Sequence, residues 1–523
     1  MKAKTEHLLV RIFQVLTVLG VVAIVFLLIT KYDILNRSGG DAPDTLAEEN
    51  SAEPAKRVQR PRSTGNQSYE KLISDGDAAH FAGEDDRALI FYQEAAEKEP
   101  REAKAYERIG DLYFEQKNYS SAQRNFELAA TLSESSEQLQ IKIARTLLGQ
   151  RKILEARTVL NGIQSQEVFF LQGAIASFLN EQEESKRLLN ESLTAGTNQK
   201  YIQDAQRILD AYKIFDLTQG GKIEFLQAMI AKAFSDAGEF GLAIELSFDA
   251  LKHKHDYRDV WIILGHAFLN ERKWLDAEDA MKKAIELDAE HASAYFFRGI
   301  ARKELGNRAS AKEDFETALR AGWEPKIFAQ QHLAELNFAE GDLDAAFRYS
   351  RDVVKTDPTN IERFIRPIAL AIDSVNKPQD ALEIAKLGLS THPDSALANS
   401  LRGWAELANG NTKDARTYLQ RALTLDNGLE SAYLNLGKLE RAEERYVEAL
   451  RNFEIAASLA EKNNNQPIRT TAEFLLNELR AKMDSGEIKI KETVEVPTAT
   501  PPPERIPLPA APPPAPQASL SLL

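Results

Sequence analysis

The sequence predicts an all-α protein: an α-solenoid of about eleven helix hairpins, preceded by one transmembrane helix and followed by a disordered Pro-rich C-terminal tail. Three observations predict it. Paired apolar stripes at helical spacing recur with a period of about 34 residues over most of the chain. One early run is apolar on every face. The final stretch is dense in proline, which suits extended backbone and no packed core.

Bulk composition agrees. At 523 residues the chain would ordinarily divide into several globular domains, but a repeat array lengthens in one dimension without enlarging any single core. Ala, Leu, Glu, Lys and Arg are plentiful and Pro is scarce before the tail, as helices require. A net charge of −14 disfavours nucleic acid as the main partner, because phosphate binding needs a basic surface. With no cysteine, disulfides, thiolate metal sites and cysteine catalysis are excluded.

The first element is the run from Ile12 to Ile29, in which Gln14 and Thr17 are the sole polar members. Its roughly 18 residues would span about 27 Å as a helix, close to the hydrocarbon thickness of a bilayer. No small-residue cleavage pattern follows it, so a retained anchor over residues 8–30 is expected. Lys2, Lys4 and Arg11 precede the span, which favours residues 1–7 in the cytoplasm and the repeats outside it. Residues 31–68 hold almost no large apolar side chain and read as a disordered tether. Within it, Lys56, Arg57, Arg60 and Arg62 read as solvated linker, with anionic headgroups or cell-wall polymer as the alternative contact.

The repeating unit is clearest between Asp259 and Asp288. Trp261, Leu264, Gly265 and Phe268 form one stripe, and Trp274, Ala277, Met281 and Ala284 form the next. The polar turn Asn270-Glu271-Arg272-Lys273 separates them. Small residues stand where two helices must approach closely, so the unit is an antiparallel pair. Neither stripe is covered by one pair alone, and a similar pair is needed on each side. Copies recur, for instance Tyr106, Gly110, Tyr113, Tyr119, Ala122 and Phe126, or Tyr433, Leu436, Gly437, Tyr446, Ala449 and Phe453. The third copy is weaker, and the ninth keeps Ile372, Ala381 and Pro393. The rhythm breaks over residues 197–221, read as an inserted helix closed by Gly220-Gly221. That break separates a first segment, residues 69–196, from a second, residues 222–461. Residues 462–486 supply an amphipathic helix that caps the open end, and residues 487–523 form the tail.

This pattern resembles the tetratricopeptide repeat (TPR) family, and the anchor before it suggests a membrane-anchored protein of bacterial type. The resemblance implies that the first helix of each pair lines a concave surface through its second, fifth, ninth and twelfth positions. Carried over, these are Ile262 and His266; Phe296, Ile300 and Lys303; Phe328, Gln331 and Phe338; Arg363 and Arg366; Leu397, Trp404 and Leu407; and Lys438 and Arg441. Such a groove would hold partner proteins or peptides, aromatics acting as anchors and arginines as forked donors to carboxylates. The carboxylate-clamp constellation of the family is absent, since Ile73 and Asp77 stand at its Lys and Asn positions.

Chemistry is not expected. Gly220-Gly221-Lys222 lacks the rest of a phosphate loop, and there is no G-x-S-x-G elbow. His253 and His255 point apart on a helix, and His266 and His332 read as polar lining. Asp85-Asp86 and Glu183-Glu184 fall in turns, where their charge is hydrated. No cofactor, metal or catalytic residue is assigned. In the tail, Arg505 to Pro509 is the segment best suited to a Pro-reading domain, with a plain spacer as the simpler reading. The expectation is therefore a membrane-anchored scaffold in assembly or quality control of an envelope complex. The alternatives are a groove that reads glycan in polysaccharide export or cell-wall synthesis, and the same scaffold facing the cytoplasm in regulated proteolysis or secretion.

Overall fold

The computed structural model describes residues 67–133, 136–218 and 221–488. The expected anchor, nearly all of the tether and the Pro-rich tail lie outside the described residues. Among the described residues there are 24 α-helices and no strand, and no helix is long and apolar enough to cross a membrane.

The helices form eleven successive hairpins. They are α1 (Tyr69–Phe81) with α2 (Asp85–Lys98), α3 (Ala103–Glu115) with α4 (Tyr119–Leu132), α5 (Glu137–Gly149) with the short α6 (Ile153–Val159), and α7 (Gln166–Phe178) with α8 (Gln182–Thr194). A single helix, α9 (Gln199–Leu217), interrupts the series. The pairs resume with α10 (Ile223–Ala237) and α11 (Phe240–His253), α12 (Arg258–Asn270) and α13 (Trp274–Leu287), α14 (Ala292–Glu304) and α15 (Arg308–Arg320), and α16 (Lys326–Glu340) and α17 (Leu343–Thr356). An irregular helix around α18 (Ile365–Ala369) pairs with α19 (Pro378–Thr391). Then come α20 (Ala396–Ala408) with α21 (Thr412–Leu425), α22 (Glu430–Ala442) with α23 (Tyr446–Lys462), and a last helix, α24 (Gln466–Asp484).

The small residues of the repeat explain how each pair closes. Gly110 on α3 receives the Phe126 ring from α4, and a Cβ there would sit 2.5 Å from the ring. The same spacing pairs Gly299 with Phe315 and Gly437 with Phe453. Each such ring is almost wholly buried, and burying a Phe side chain stabilises by about 1.5–3 kcal/mol. Tight turns join the paired helices. After α3, Lys117 takes a left-handed φ of 63° and the Asn118 N–H donates back to the Tyr113 carbonyl at 2.8 Å. That is the six-to-one bond of a Schellman stop. Arg151, Arg272 and Gly306 repeat the left-handed φ in later turns.

The inserted α9 buries Ala205, Ile208, Ala211 and Tyr212 along one face, between α8 and α10. The apolar core runs on past it, continuous from Ala122 to Leu336. Across the insert, α5 rests on α11. Gly241 makes this possible, since a Cβ at that position would collide with the Leu148 carbonyl. Polar contacts surround the crossing. Arg145 donates to Glu239 at 2.5 Å and to Glu167 at 3.0 Å, and Arg151 pairs with Glu245 at 3.0 Å. Tyr119 donates to Glu271 at 2.7 Å, with Lys117 3.7 Å from the same carboxylate. Burial works against the Arg145 charge, yet Glu239 and Glu167 outweigh it and raise the guanidinium above its ordinary pKa.

The ninth hairpin departs from regular geometry. Its first helix runs as a 3₁₀ turn over Ile361–Phe364, one α segment over Ile365–Ala369, and a π turn over Leu370–Ser374. Pro367 is the physical reason for the start, because it has no N–H to return to the carbonyl four residues back. The Val375 N–H closes the π turn on the Leu370 carbonyl at 2.9 Å.

Candidate protein-binding groove

First helices of neighbouring hairpins touch one another: α10 with α12, α12 with α14, α20 with α22, and α22 with α24. Second helices make no comparable contact among the described residues. The first helices therefore hold the inner side of the stack, where any groove must lie.

Three of the expected lining residues give no open surface there. Ile262, His266 and Phe296 are 1%, 2% and 1% exposed. His266 is locked by a 2.8 Å contact between its Nδ1 and the Ser235 hydroxyl, and its ring lies against Phe297 at 5.2 Å. Phe296 stacks on Trp323, which enters from the following turn at 4.3 Å between centroids. These positions face inward because the adjacent hairpin covers them. Ile300, Phe328, Leu397 and Leu407 are half-buried against the core.

The remaining residues fall into three groups. Lys303 donates to His332 Nδ1 at 3.1 Å and to Glu335 at 2.8 Å. The close approach of His332, and then the hydrogen bond from Lys303, lower the Glu335 carboxyl to about 2. Gln331, Arg363 and Arg366 meet around a cavity of about 380 Å³, whose wall also includes Ser350, Asn360, Ala334, Val353 and the carboxylates Glu335 and Glu362. Arg363 is spent on Asp357 at 2.5 Å. Arg366 has no such partner among the described residues. Its guanidinium lies 5.5 Å from the centroid of the half-exposed Phe338 ring. The Ser350 hydroxyl, buried in the same wall, has no hydrogen-bond partner among the described residues.

The third group stands further along. Lys438 Nζ lies 5.0 Å from the centre of the Trp404 ring and makes no ion pair among the described residues. Burial, then Arg441, lowers its pKa, while Asp373 pulls the other way. Arg441 pairs with Glu478 at 3.1 Å on α24. Two cations over two rings thus make no ion pair among the described residues, although Glu335 and Glu362 line the Arg366 cavity and the Asp373 charge acts on Lys438.

Comparison with known proteins decides what the repeats are. Two family models, each described as tetratricopeptide repeat, match the chain, one at residues 263–323 and 373–430 and the other at 103–136. The chain carries tetratricopeptide repeats. Among solved structures, yeast Tom70 is 16% identical and the match covers 80% of this chain and 96% of that one, with a TM-score of 0.28. YrrB, a TPR protein with an unusual peptide-binding site, is 19% identical over 44% of this chain and 96% of that one, at a TM-score of 0.25. A TPR protein from Parabacteroides merdae is 16% identical over 48% of this chain and 100% of that one, at 0.30. No curated protein matches the sequence.

Position within a TPR hairpin identified the arginines, lysines and rings of this face. It missed Ser350, Asn360 and Asp373. Ser350 belongs to a second helix, Asn360 caps the start of the ninth hairpin's first helix, and Asp373 lies in the π turn at its end.

Proposed function

We propose that the chain is a non-enzymatic scaffold whose inner face binds acidic, partly apolar segments of partner proteins. The observation that carries this reading is Arg366: a cation over Phe338, lining a cavity, and without an ion pair of its own among the described residues. Lys438 over Trp404 repeats the arrangement. A carboxylate arriving from a partner would meet a charge already oriented by a ring, with apolar contact beside it. A glycan-reading groove is less well served, because each of these rings already has a cation over one face.

The apolar run over residues 8–30 supports anchoring to a membrane through a single span, with the repeats held outside the cytoplasm by the charge preceding it. Anchoring raises the local concentration of whatever docks, so modest groove affinity would suffice for assembling or checking an envelope complex. The Pro-rich tail serves as spacer or as ligand for a Pro-reading domain.

Crosslinking and pull-down from membranes tests the groove, comparing the natural chain with the double variant Arg366→Ala, Trp404→Ala. Loss of specific partners from the variant supports the reading. Recovery of the same partners at the same yield defeats it.

A further inference from the structure

A second cavity, of about 620 Å³, opens between α2 and α3, where the first two hairpins meet. Tyr106, Ile109 and Tyr113 of α3 line it, together with Ala96 of α2. The three fall on one face of α3, and the two half-buried tyrosines are about 10.5 Å apart along its axis. Neither ring has a cation or a second ring over it among the described residues, unlike the cation-covered rings of the inner face.

Polar groups beside the tyrosines are uncommitted too. The Gln93 amide and the Tyr113 hydroxyl make no hydrogen bond among the described residues, and the Tyr106 hydroxyl reaches the Pro100 carbonyl only at 3.4 Å. Glu97 lines the same cavity and makes no ion pair among the described residues. Rings and donors at this spacing suit one kind of backbone. Polyproline II repeats every three residues, about 9.3 Å, and its carbonyls have no internal hydrogen bonds. Prolines three apart would each meet a tyrosine, and the carbonyls between them would accept from the free donors.

The chain carries such a segment within its own tail. Pro509 and Pro512 stand three apart, and Arg505 precedes them. Its length is sufficient. The Tyr119–Glu271 bond sets the second hairpin against the sixth, and Ile488 packs on the last apolar cluster beside α24. Six layers then separate the cavity from Ile488, roughly 60 Å at about 10 Å each. From Ile488 to Pro509 an extended proline-rich backbone covers about 65 Å.

We propose that residues 505–512 of the chain's own tail dock in this cavity, Pro509 on Tyr106 and Pro512 on Tyr113. Charge sets the direction: Glu97 and Tyr106 both stand near the turn joining α2 to α3, so Arg505 falls beside Glu97. The inference rests on the reading of the tail as a ligand, and it makes the chain its own Pro-reading surface. It does not involve Arg366 or Lys438.

The chain has no cysteine, so Lys104→Cys and Ser519→Cys place two nitroxide labels on the full chain, the first at an exposed position of α3. Double electron–electron resonance in detergent micelles reads their separation. A discrete population at or below roughly 30 Å is expected, since Ser519 follows Pro512 by seven residues at about 3.1 Å each. The paired change Pro509→Ala, Pro512→Ala, which alters no described residue, should remove it. Glu97→Gln should lower the ratio of docked to free tail about two-fold at low salt. Arg366→Ala should leave it unchanged, so the inner groove is tested separately. A broad distribution with the natural tail, or a short population that survives the proline changes, overturns the docking. Proline-dependent capture of another protein together with a broad distribution leaves the tail a ligand and still overturns this site. A short population lost on dilution with unlabelled chain belongs to a second copy and overturns the assignment to the chain's own tail. No effect of Glu97→Gln overturns the direction given to the segment.

Discussion

Tyr119 donates its phenolic hydrogen to the Glu271 carboxylate across 2.7 Å, although 152 residues separate them. Burial, then the nearby Glu271 charge, raises the Tyr119 pKa well above its ordinary value, so the hydroxyl stays protonated and donating. The bond ties the second hairpin to the sixth across the inserted helix.

Removing that donor should loosen the crossing. Tyr119→Phe leaves Glu271 buried with only the longer Lys117 contact, and a destabilisation of about 1–3 kcal/mol is expected. Urea denaturation measures it. Hydrogen exchange should rise in α5 and α11 and stay unchanged in α20 to α24.

Close helix approach makes a second prediction. In Gly110→Ala the new methyl meets the Phe126 ring, which is fixed by its own burial, so overpacking should cost about 1–3 kcal/mol. Thermal unfolding reads the loss. The paired change Gly110→Ala, Phe126→Leu should recover part of it.

The turn after α12 offers a gain. Arg272 is exposed and held at a φ of 56°, where a side chain costs about 1–2 kcal/mol. Glycine removes that cost and gives back about 0.5–1 kcal/mol in unfolded-state entropy. Arg272→Gly is therefore expected to stabilise by roughly 0.5–1 kcal/mol, measured as a higher urea midpoint.

Acid should weaken the groove region through Glu335. Its folded carboxyl lies at about 2 against an ordinary 4.5, so the unfolded chain takes up the proton first. The resulting stability is present above pH 4.5 and is lost progressively as pH falls toward 2. Glu335→Gln should flatten that slope in a pH series of unfolding midpoints.

The helical repeats were legible because each hairpin writes its needs locally: a glycine where a ring must enter, a polar turn, an apolar stripe at helical spacing. The groove was legible only in part. Counting along a helix finds the inward face, as it did for Arg366 and Lys438, but not whether the next hairpin covers that face. Ile262, His266 and Phe296 were lost to cover of this kind, and Trp323, the ring over Phe296, enters from a turn that carries no helical period. Tyr119 and Glu271 illustrate a harder case. Nothing near either residue names the other, since their meeting depends on the sum of all the hairpin rotations between them.

The crossing of α5 on α11 also sets a rule for how this chain can change in length. Arg145 and Glu239 meet only if the number of helical layers between them is right, and one more or one fewer would carry them apart by about 10 Å per helix. Duplication or loss of a unit inside that interval is therefore penalised. Beyond Leu336 no helix crossing of this kind is present among the described residues, so adding or losing a unit there is expected to cost less.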